Sequence, residues 1–226
     1  MATRDRSNVI RSSAGNKFVH GALFSLAIVI APALGNRQVL ALPQLWIMLA
    51  LGILAHLLQP AYKVFDPAAP AEDQNTARQI LWSCALVQVA GIMEAVYCRY
   101  PESFQWDPIA TVALGLMLLG LLLRSWAVLT LGQFFTWHVT CQPGQQVIRT
   151  GPYQWVRHPG YLGAFLTCCC GPIFLHAWVT AIAGGVVLLV AFLRRIRHEE
   201  ALLRRNLGQD YDTYCGEVPA LIPWLW

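Results

Sequence analysis

The chain has 226 residues, of which 56% are hydrophobic and only 12% charged, with a formal net charge of +4. An ordinary soluble domain carries about 25% charged residues, so this composition excludes a conventional water-soluble domain and points to lipid as the solvent. The charges are clustered rather than interleaved with aromatics along a stripe, which argues against nucleic acid as a partner.

In chain order, Arg4, Arg6, Arg11 and Lys17 precede an apolar run that begins at Phe18. Ala31-Pro32-Ala33 faintly resembles a signal-peptide cleavage site, but further apolar segments follow, so the run reads as a first membrane span that stays attached. A spanning helix needs about 20 mostly apolar residues, with roughly 17 as the lower limit. Phe18–Leu34, Leu42–Gln59, Gln79–Cys98 and Pro108–Leu131 meet or approach that requirement. Between the second and third lies Pro60–Arg78, a polar linker with turn signals at Asp66-Pro67 and Ala69-Pro70. Gly132–Pro159 is too polar to span, yet it carries Phe134, Phe135, Trp137, Tyr153 and Trp155, which suits a segment at the interface or folded over a pocket. The apolar stretch from Tyr161 to Phe192 is too long for one span. Gly171-Pro172 and His176-Ala177-Trp178 divide it into a hairpin, Tyr161–Leu175 and Val179–Arg195. The expected fold is an all-α, polytopic membrane bundle of six spans. Residues 1–131 supply four spans, and residues 132–226 form a second region with two short spans and a C-terminal tail.

The positive-inside rule tests that count. With both termini cytoplasmic, fourteen of the sixteen Lys and Arg residues fall on the inner side, and only Arg37 and Arg99 fall outside. An odd number of spans would place one basic terminus outside. The seven cysteines include no C-x-x-C pair and read as reduced core residues. The six histidines include no i, i+4 pair, so no metal site is expected. P-loop, H-E-x-x-H, G-x-S-x-G and G-x-G-x-x-G motifs are all missing.

Three clusters remain. The first is Thr150-Gly151-Pro152-Tyr153-Gln154-Trp155-Val156-Arg157-His158-Pro159-Gly160-Tyr161-Leu162-Gly163. Two turns flank Arg157 and His158, which sit just before a helix whose N-terminal N–H groups carry partial positive charge. The second is Arg194-Arg195-Ile196-Arg197-His198-Glu199-Glu200, where Arg195 and Glu199 share a helix face at i, i+4. Arg194 and Arg197 suit a snorkelling basic girdle. The third is Leu207-Gly208-Gln209-Asp210-Tyr211-Asp212-Thr213-Tyr214, followed by Val218-Pro219 and Ile222-Pro223-Trp224.

In this order and spacing the three clusters resemble the isoprenylcysteine carboxyl methyltransferases and their prokaryotic relatives, over about Gly132 to Trp226. The family pattern is approximately T-S-G-x-Y-x-[WY]-x-R-H-P-x-Y-x-G, an acidic run, F-G-x-x-Y-x-x-Y, then V-P and I-P. The resemblance implies S-adenosylmethionine as cofactor. Gln145, Gln146, Val147 and Ile148 would line it, Tyr153, His158, Pro159, Gly160 and Tyr161 would surround it, and Glu199 would hold its amino end. Thr140 or Gln142 would be a further contact. Arg195, facing the substrate carboxylate, and Arg157 are the candidate catalytic residues. Two positions depart from the pattern: the acidic run is thinned to His198-Glu199-Glu200, and Glu217 stands before Val218-Pro219 where the family often has Arg. Both bear on substrate identity.

The resemblance implies methyl esterification of a lipophilic, isoprenoid- or prenylcysteine-like acid, its tail entering between helices and its cofactor arriving from the cytoplasm. A carboxylate with a reference pKa near 4 is already ionised at pH 7 and needs no base. The rivals are N-methylation of a phospholipid amine, which needs a base such as His158 or Glu200, S-methylation of a small thiol, and a non-catalytic binding protein. Glu94 is expected to lie exposed near the outer end of the third span, although an acid within a span is a functional candidate. Arg124 is expected to snorkel inward or shape the cofactor cavity, and His56 to be a satisfied interface residue.

Overall fold

The computed structural model describes residues 19–60 and 70–222. The N-terminal basic cluster, Phe18, Lys63, the Asp66-Pro67 turn, Ala69 and Pro223-Trp224 lie outside the described residues.

Among the described residues all regular structure is helical. The elements are α1 (Val19–Ala33), α2 (Pro43–Leu58), α3 (Thr76–Met93), α4 (Pro108–Leu131), α5 (Pro159–Phe174), α6 (Trp178–Leu207) and α7 (Gln209–Glu217). Three helical stretches are long and apolar enough to cross a membrane: α3 continued to Cys98, α4 continued to Phe134, and α6. The apolar helices α1, α2 and α5 are shorter. Leu86, Val112, Leu122, Leu129, Val179 and Ile182 leave an apolar exterior on α3, α4 and α6, as a lipid-facing surface requires.

The helix ends follow from local chemistry. Asp107 accepts a 2.7 Å hydrogen bond from the Ala110 N–H and caps α4, and Pro108 follows in the first turn, where its missing N–H costs nothing. Gly132, at φ +54°, ends α4, and Gly208, at φ +57°, separates α6 from α7. α6 is capped from another helix. Glu94 accepts hydrogen bonds from Val179 N at 3.1 Å and Thr180 N at 2.7 Å, while Arg99 Nε pairs with it at 2.8 Å. Those two N–H groups belong to the first turn of α6, which lacks intrahelical partners. The Glu94 side chain is only 11% exposed, so the expected exposure at the interface is replaced by a cross-helix cap.

The hairpin turns at Leu175–Ala177, with His176 at φ +50°. Gly171-Pro172 does not break it, because Pro172 lies within α5. A proline leaves the carbonyl four residues earlier without its donor. Here that carbonyl, Cys168 O, accepts from Gln88 Nε2 of α3 at 2.8 Å. α6 also continues past Arg195 to Leu207, so the second cluster is part of one 30-residue helix. α3 likewise starts at Thr76, inside the expected linker.

Packing of α4 on α5 is the tightest. A Cβ on Gly163 would stand 2.7 Å from the Arg124 backbone N, and one on Gly120 would stand 2.7 Å from Thr167 Oγ1. Small residues of this kind let helix backbones approach where lipid supplies no hydrophobic drive. α3 packs on both α5 and α6, with Gly184 against Val87 and Gly91 against Pro172. One core, including Leu45, Ile92, Ala113 and Phe174, fills one end of the bundle. At the other end the helices separate around a cavity. All seven cysteines are free.

Candidate active site

The cavity has a volume of about 580 Å³ and is lined by residues from all seven helices and the 134–148 segment. Its wall is apolar along Phe24, Ile80, Leu81, Leu121, Ala164 and Phe192, and polar at Gln145, Arg157, His158, Tyr161, Arg195 and Glu199. Gln146, Val147, Ile148, Tyr153 and Gly160 line it too. Thr140 also lines it, while Pro159 is fully buried as the first residue of α5. Gln142 turns the loop, its N–H donating to Gln145 Oε1 at 2.8 Å.

Tyr161 stands at the centre of the polar end. Its hydroxyl accepts from Arg195 Nε at 2.7 Å and donates to Glu199 Oε2. Its ring stacks on His158, 5.6 Å between centroids and 18° apart. Glu199 lines the cavity, and its Oε1 takes no hydrogen bond among the described residues. This places two first-motif side chains and two second-motif side chains in direct contact.

Arg195 is only 4% exposed. Its Nη1 donates to Asp73 Oδ1 and Thr76 Oγ1, each at 3.0 Å, and its Nη2 donates to Trp137 O at 2.6 Å. With the Nε bond to Tyr161, four of its five N–H groups are committed. Asp73 lies outside the spans. Burial alone would raise its pKa, but the N–H groups of Val139 and Ala77 and the Arg195 charge outweigh burial and hold it below the usual carboxylate value.

Arg157 fastens the C-terminal tail. Nε and Nη2 both donate to Glu200 Oε1, at 3.0 and 2.9 Å, and Nη1 donates to Cys215 O and Val218 O. The backbone adds Arg157 N to Pro219 O at 2.9 Å and His158 N to Ala220 O at 3.0 Å. His158 Nε2 completes the cluster, 3.1 Å from Glu200 Oε1. The Val218-Pro219 motif thus holds the Arg157-His158 turn by its carbonyls. Glu217 pairs with Arg149, whose guanidinium lies 5.4 Å from the Tyr214 ring centroid. Tyr211 and Tyr214 of α7 close the cavity. Burial pushes the Tyr214 hydroxyl up to about 12, and burial together with Glu200 and Glu199 raises Tyr211, so both are neutral donors at physiological pH.

Arg124, from the C-terminal half of α4, also lines the cavity. Nε donates to Gln59 Oε1 at 2.7 Å, Nη1 donates to Gly160 O at 3.1 Å, and the guanidinium lies 5.3 Å from the Trp137 ring centroid. No carboxylate among the described residues pairs with it, and three of its N–H groups remain uncommitted. His56 Nδ1 meets Gly52 O at 2.9 Å, as a satisfied residue should, although the ring also lines the cavity. Among the described residues no three His, Cys, Asp or Glu side chains converge as metal ligands.

The family model described as isoprenylcysteine carboxyl methyltransferase (ICMT) matches residues 113–205, which hold Arg124, the first motif, and Arg195 with Glu199. A protein-S-isoprenylcysteine O-methyltransferase from Schizosaccharomyces pombe is 32% identical over 149 residues, covering 63% of each chain. A second, from Arabidopsis thaliana, is 31% identical over 145 residues, covering 62% of this chain and 74% of that one. The chain belongs to the isoprenylcysteine carboxyl methyltransferase family. Its fold is that of a solved eukaryotic intramembrane Ras methyltransferase, ICMT, with a TM-score of 0.65 at 20% identity over 97% of this chain and 86% of that one. It is accordingly an integral membrane protein.

Within this family member, the three motifs that stand apart in sequence converge on one cavity. Arg124, expected to snorkel inward or shape a cavity, lines this one, as do Trp137 of the aromatic segment and Tyr211 and Tyr214 of the third cluster, whereas Asp73 was not a candidate. For Arg124 a signal existed, since an arginine inside an apolar span is a functional candidate by default. Asp73 sits in a stretch whose composition reads as linker, and nothing local marks it.

Proposed function

We propose that this chain is an S-adenosylmethionine-dependent methyltransferase that esterifies the carboxylate of a lipophilic, prenylcysteine-like substrate. The observation that carries the acceptor chemistry is Arg124, a cationic side chain facing the cavity with no anionic partner. Charges removed from water are ordinarily paired, and the uncommitted Nη1 and Nη2 N–H groups form a fork suited to a carboxylate. Arg195 is neutralised by Asp73 and keeps one N–H, so it cannot clamp a carboxylate in two-point fashion without losing bonds it already makes. We therefore give Arg124 the acceptor carboxylate, and Arg195 the orientation of Tyr161 and Glu199.

The residues present suit the cofactor. Glu199 Oε1 offers an acceptor to an ammonium, Gln145 to Ile148 line one wall, and Tyr153, Tyr211 and Tyr214 provide an aromatic surround. When bound, S-adenosylmethionine supplies an electrophilic methyl on a sulfonium whose leaving group is a neutral thioether. The protein's task is alignment of two reactants in a dry cavity, where orientation accounts for about 7 kcal/mol or more of barrier. Arg157 acts as a positioning residue, holding the tail that carries the cavity's third wall. The apolar side, lined by Phe24, Ile80, Leu81 and Phe192, would take the isoprenoid tail. In this reading residues 1–131 form the lipid side of the cavity and residues 132–226 the cofactor side. The chain crosses the membrane six times with both termini cytoplasmic, the short helices α1, α2 and α5 serving as spans.

N-methylation is less well served. His158 and Glu200, the available bases, are bound to each other, and Glu200 is also held by Arg157. The test is incubation of purified protein with methyl-labelled cofactor and farnesylcysteine analogues or membrane lipids, followed by mild alkali. Volatile methanol is expected, and alkali-stable label in lipid would overturn the carboxylate reading.

A further inference from the structure

A cluster outside the segment matched by the family model, residues 113–205, reaches into the site. Asp73 ends the short turn Ala71–Asp73, and the next two residues, Gln74 at φ +45° and Asn75 at φ +61°, adopt left-handed backbone before α3 begins. That conformation is uncommon for residues with a Cβ and folds the Asp73 side chain back over the first turn of α3. Its carboxylate, 2% exposed, gathers donors from three separate segments. Ala77 N at 3.3 Å and Thr76 Oγ1 at 3.3 Å come from α3, Val139 N at 2.9 Å from the cavity loop, and Arg195 Nη1 at 3.0 Å from α6.

We infer that Asp73 is a positioning residue for the cofactor site, acting through Arg195 on the Tyr161 hydroxyl and Glu199. The inference rests on the cofactor reading above. Arg195 is the only link between Asp73 and the Tyr161–Glu199 pair in the described network, because Nη1 holds Asp73 while Nε holds Tyr161. A guanidinium is planar, so fixing Nη1 fixes the direction of Nε. Tyr161 must then turn its proton toward Glu199 Oε2, which leaves Oε1 of this cavity-lining residue without a donor among the described residues. Asp73 also keeps the Arg195 charge from competing with Arg124 for an incoming carboxylate. The N-terminal half thereby contributes a control element to a site whose recognisable motifs all lie in the other half.

The test measures S-adenosylmethionine affinity by calorimetry on full-length protein in detergent for Asp73→Asn, Arg195→Gln and the double variant. Asp73→Asn is expected to weaken the cofactor about 10- to 100-fold, whereas the same change in the Arg195→Gln background shifts affinity less than about threefold. A purely structural role, exercised through Val139 and Ala77, would persist in the absence of Arg195. A further tenfold loss in the double variant relative to Arg195→Gln overturns the proposal. So does wild-type affinity in Asp73→Asn. If Asp73→Asn alone does not fold, the comparison of Arg195→Gln with the double variant, which leaves no lone buried charge, decides by the same thresholds. A wild-type protein that binds no S-adenosylmethionine overturns the cofactor reading itself, and this inference with it.

Discussion

Replacing Arg124 with Met tests the acceptor site directly. Methionine retains much of the length and volume of arginine but neither the charge nor the donors. The wild-type guanidinium offers the cavity its uncommitted Nη1 and Nη2 N–H groups, while Gln59 takes Nε and Gly160 takes the other Nη1 N–H. Each hydrogen bond to a charged group is worth about 1.5–3 kcal/mol, so losing two of them amounts to about 3–6 kcal/mol. At 1.4 kcal/mol per factor of ten, kcat/KM for the acceptor should fall about 10²- to 10⁴-fold. Arg124→Lys keeps a point charge without the fork and should fall about tenfold. The assay is alkali-labile methyl release across a series of acceptor concentrations, with cofactor affinity measured separately by calorimetry. S-adenosylmethionine should bind either variant within about threefold of wild type. Acceptor kcat/KM within threefold of wild type would refute the assignment. An equally large loss of cofactor affinity would move Arg124 to the carboxylate of the cofactor.

Glu199→Ala removes the acceptor of the Tyr161 hydroxyl and the open Oε1, and should weaken cofactor binding about 10- to 100-fold by calorimetry, the equivalent of one charged hydrogen bond. Gly163→Ala places a Cβ against the Gly120 carbonyl and 2.7 Å from the Arg124 backbone N, so α4 and α5 must part. A loss of about 1–3 kcal/mol is expected, visible as a lower Tm in detergent together with reduced acceptor turnover. Glu94→Ala uncaps α6 at the end remote from the cavity and should cost about 1–2 kcal/mol in thermal stability while leaving cofactor affinity unchanged. A changed affinity would show that the two ends of α6 are coupled.

What could be read along the chain was whatever depends on neighbours in sequence. Runs of apolar residues set where helices form, and glycine and proline set most of the turns. Arg195 with Glu199, and Tyr211 with Tyr214, share helix faces because they lie four and three residues apart, and it was the resemblance of the three clusters to a known family that singled out the region now seen around the cavity. Local rules failed where a distant side chain supplied what was locally missing. Pro172 should have broken α5, but Gln88 of α3 satisfies the carbonyl that proline abandons. Glu94 read as an exposed interface acid, but the first turn of α6 needed an acceptor and found it there.

The partners of charged groups were decided only by tertiary structure. Arg195 and Asp73 are 122 residues apart, and Arg124 reaches Gln59 and Gly160 across 65 and 36 residues. Amphipathic periodicity reports how a helix is oriented to its surroundings but not which helix it faces, and a guanidinium is the same donor set whoever accepts from it. The bundle's close approaches, at Gly120 and Gly163 between α4 and α5 and at Gly184 between α6 and α3, bring the elements that carry those pairs together. They leave Arg195 neutralised by Asp73 and Arg124 open to the cavity, a distinction between two arginines that only the packed structure draws.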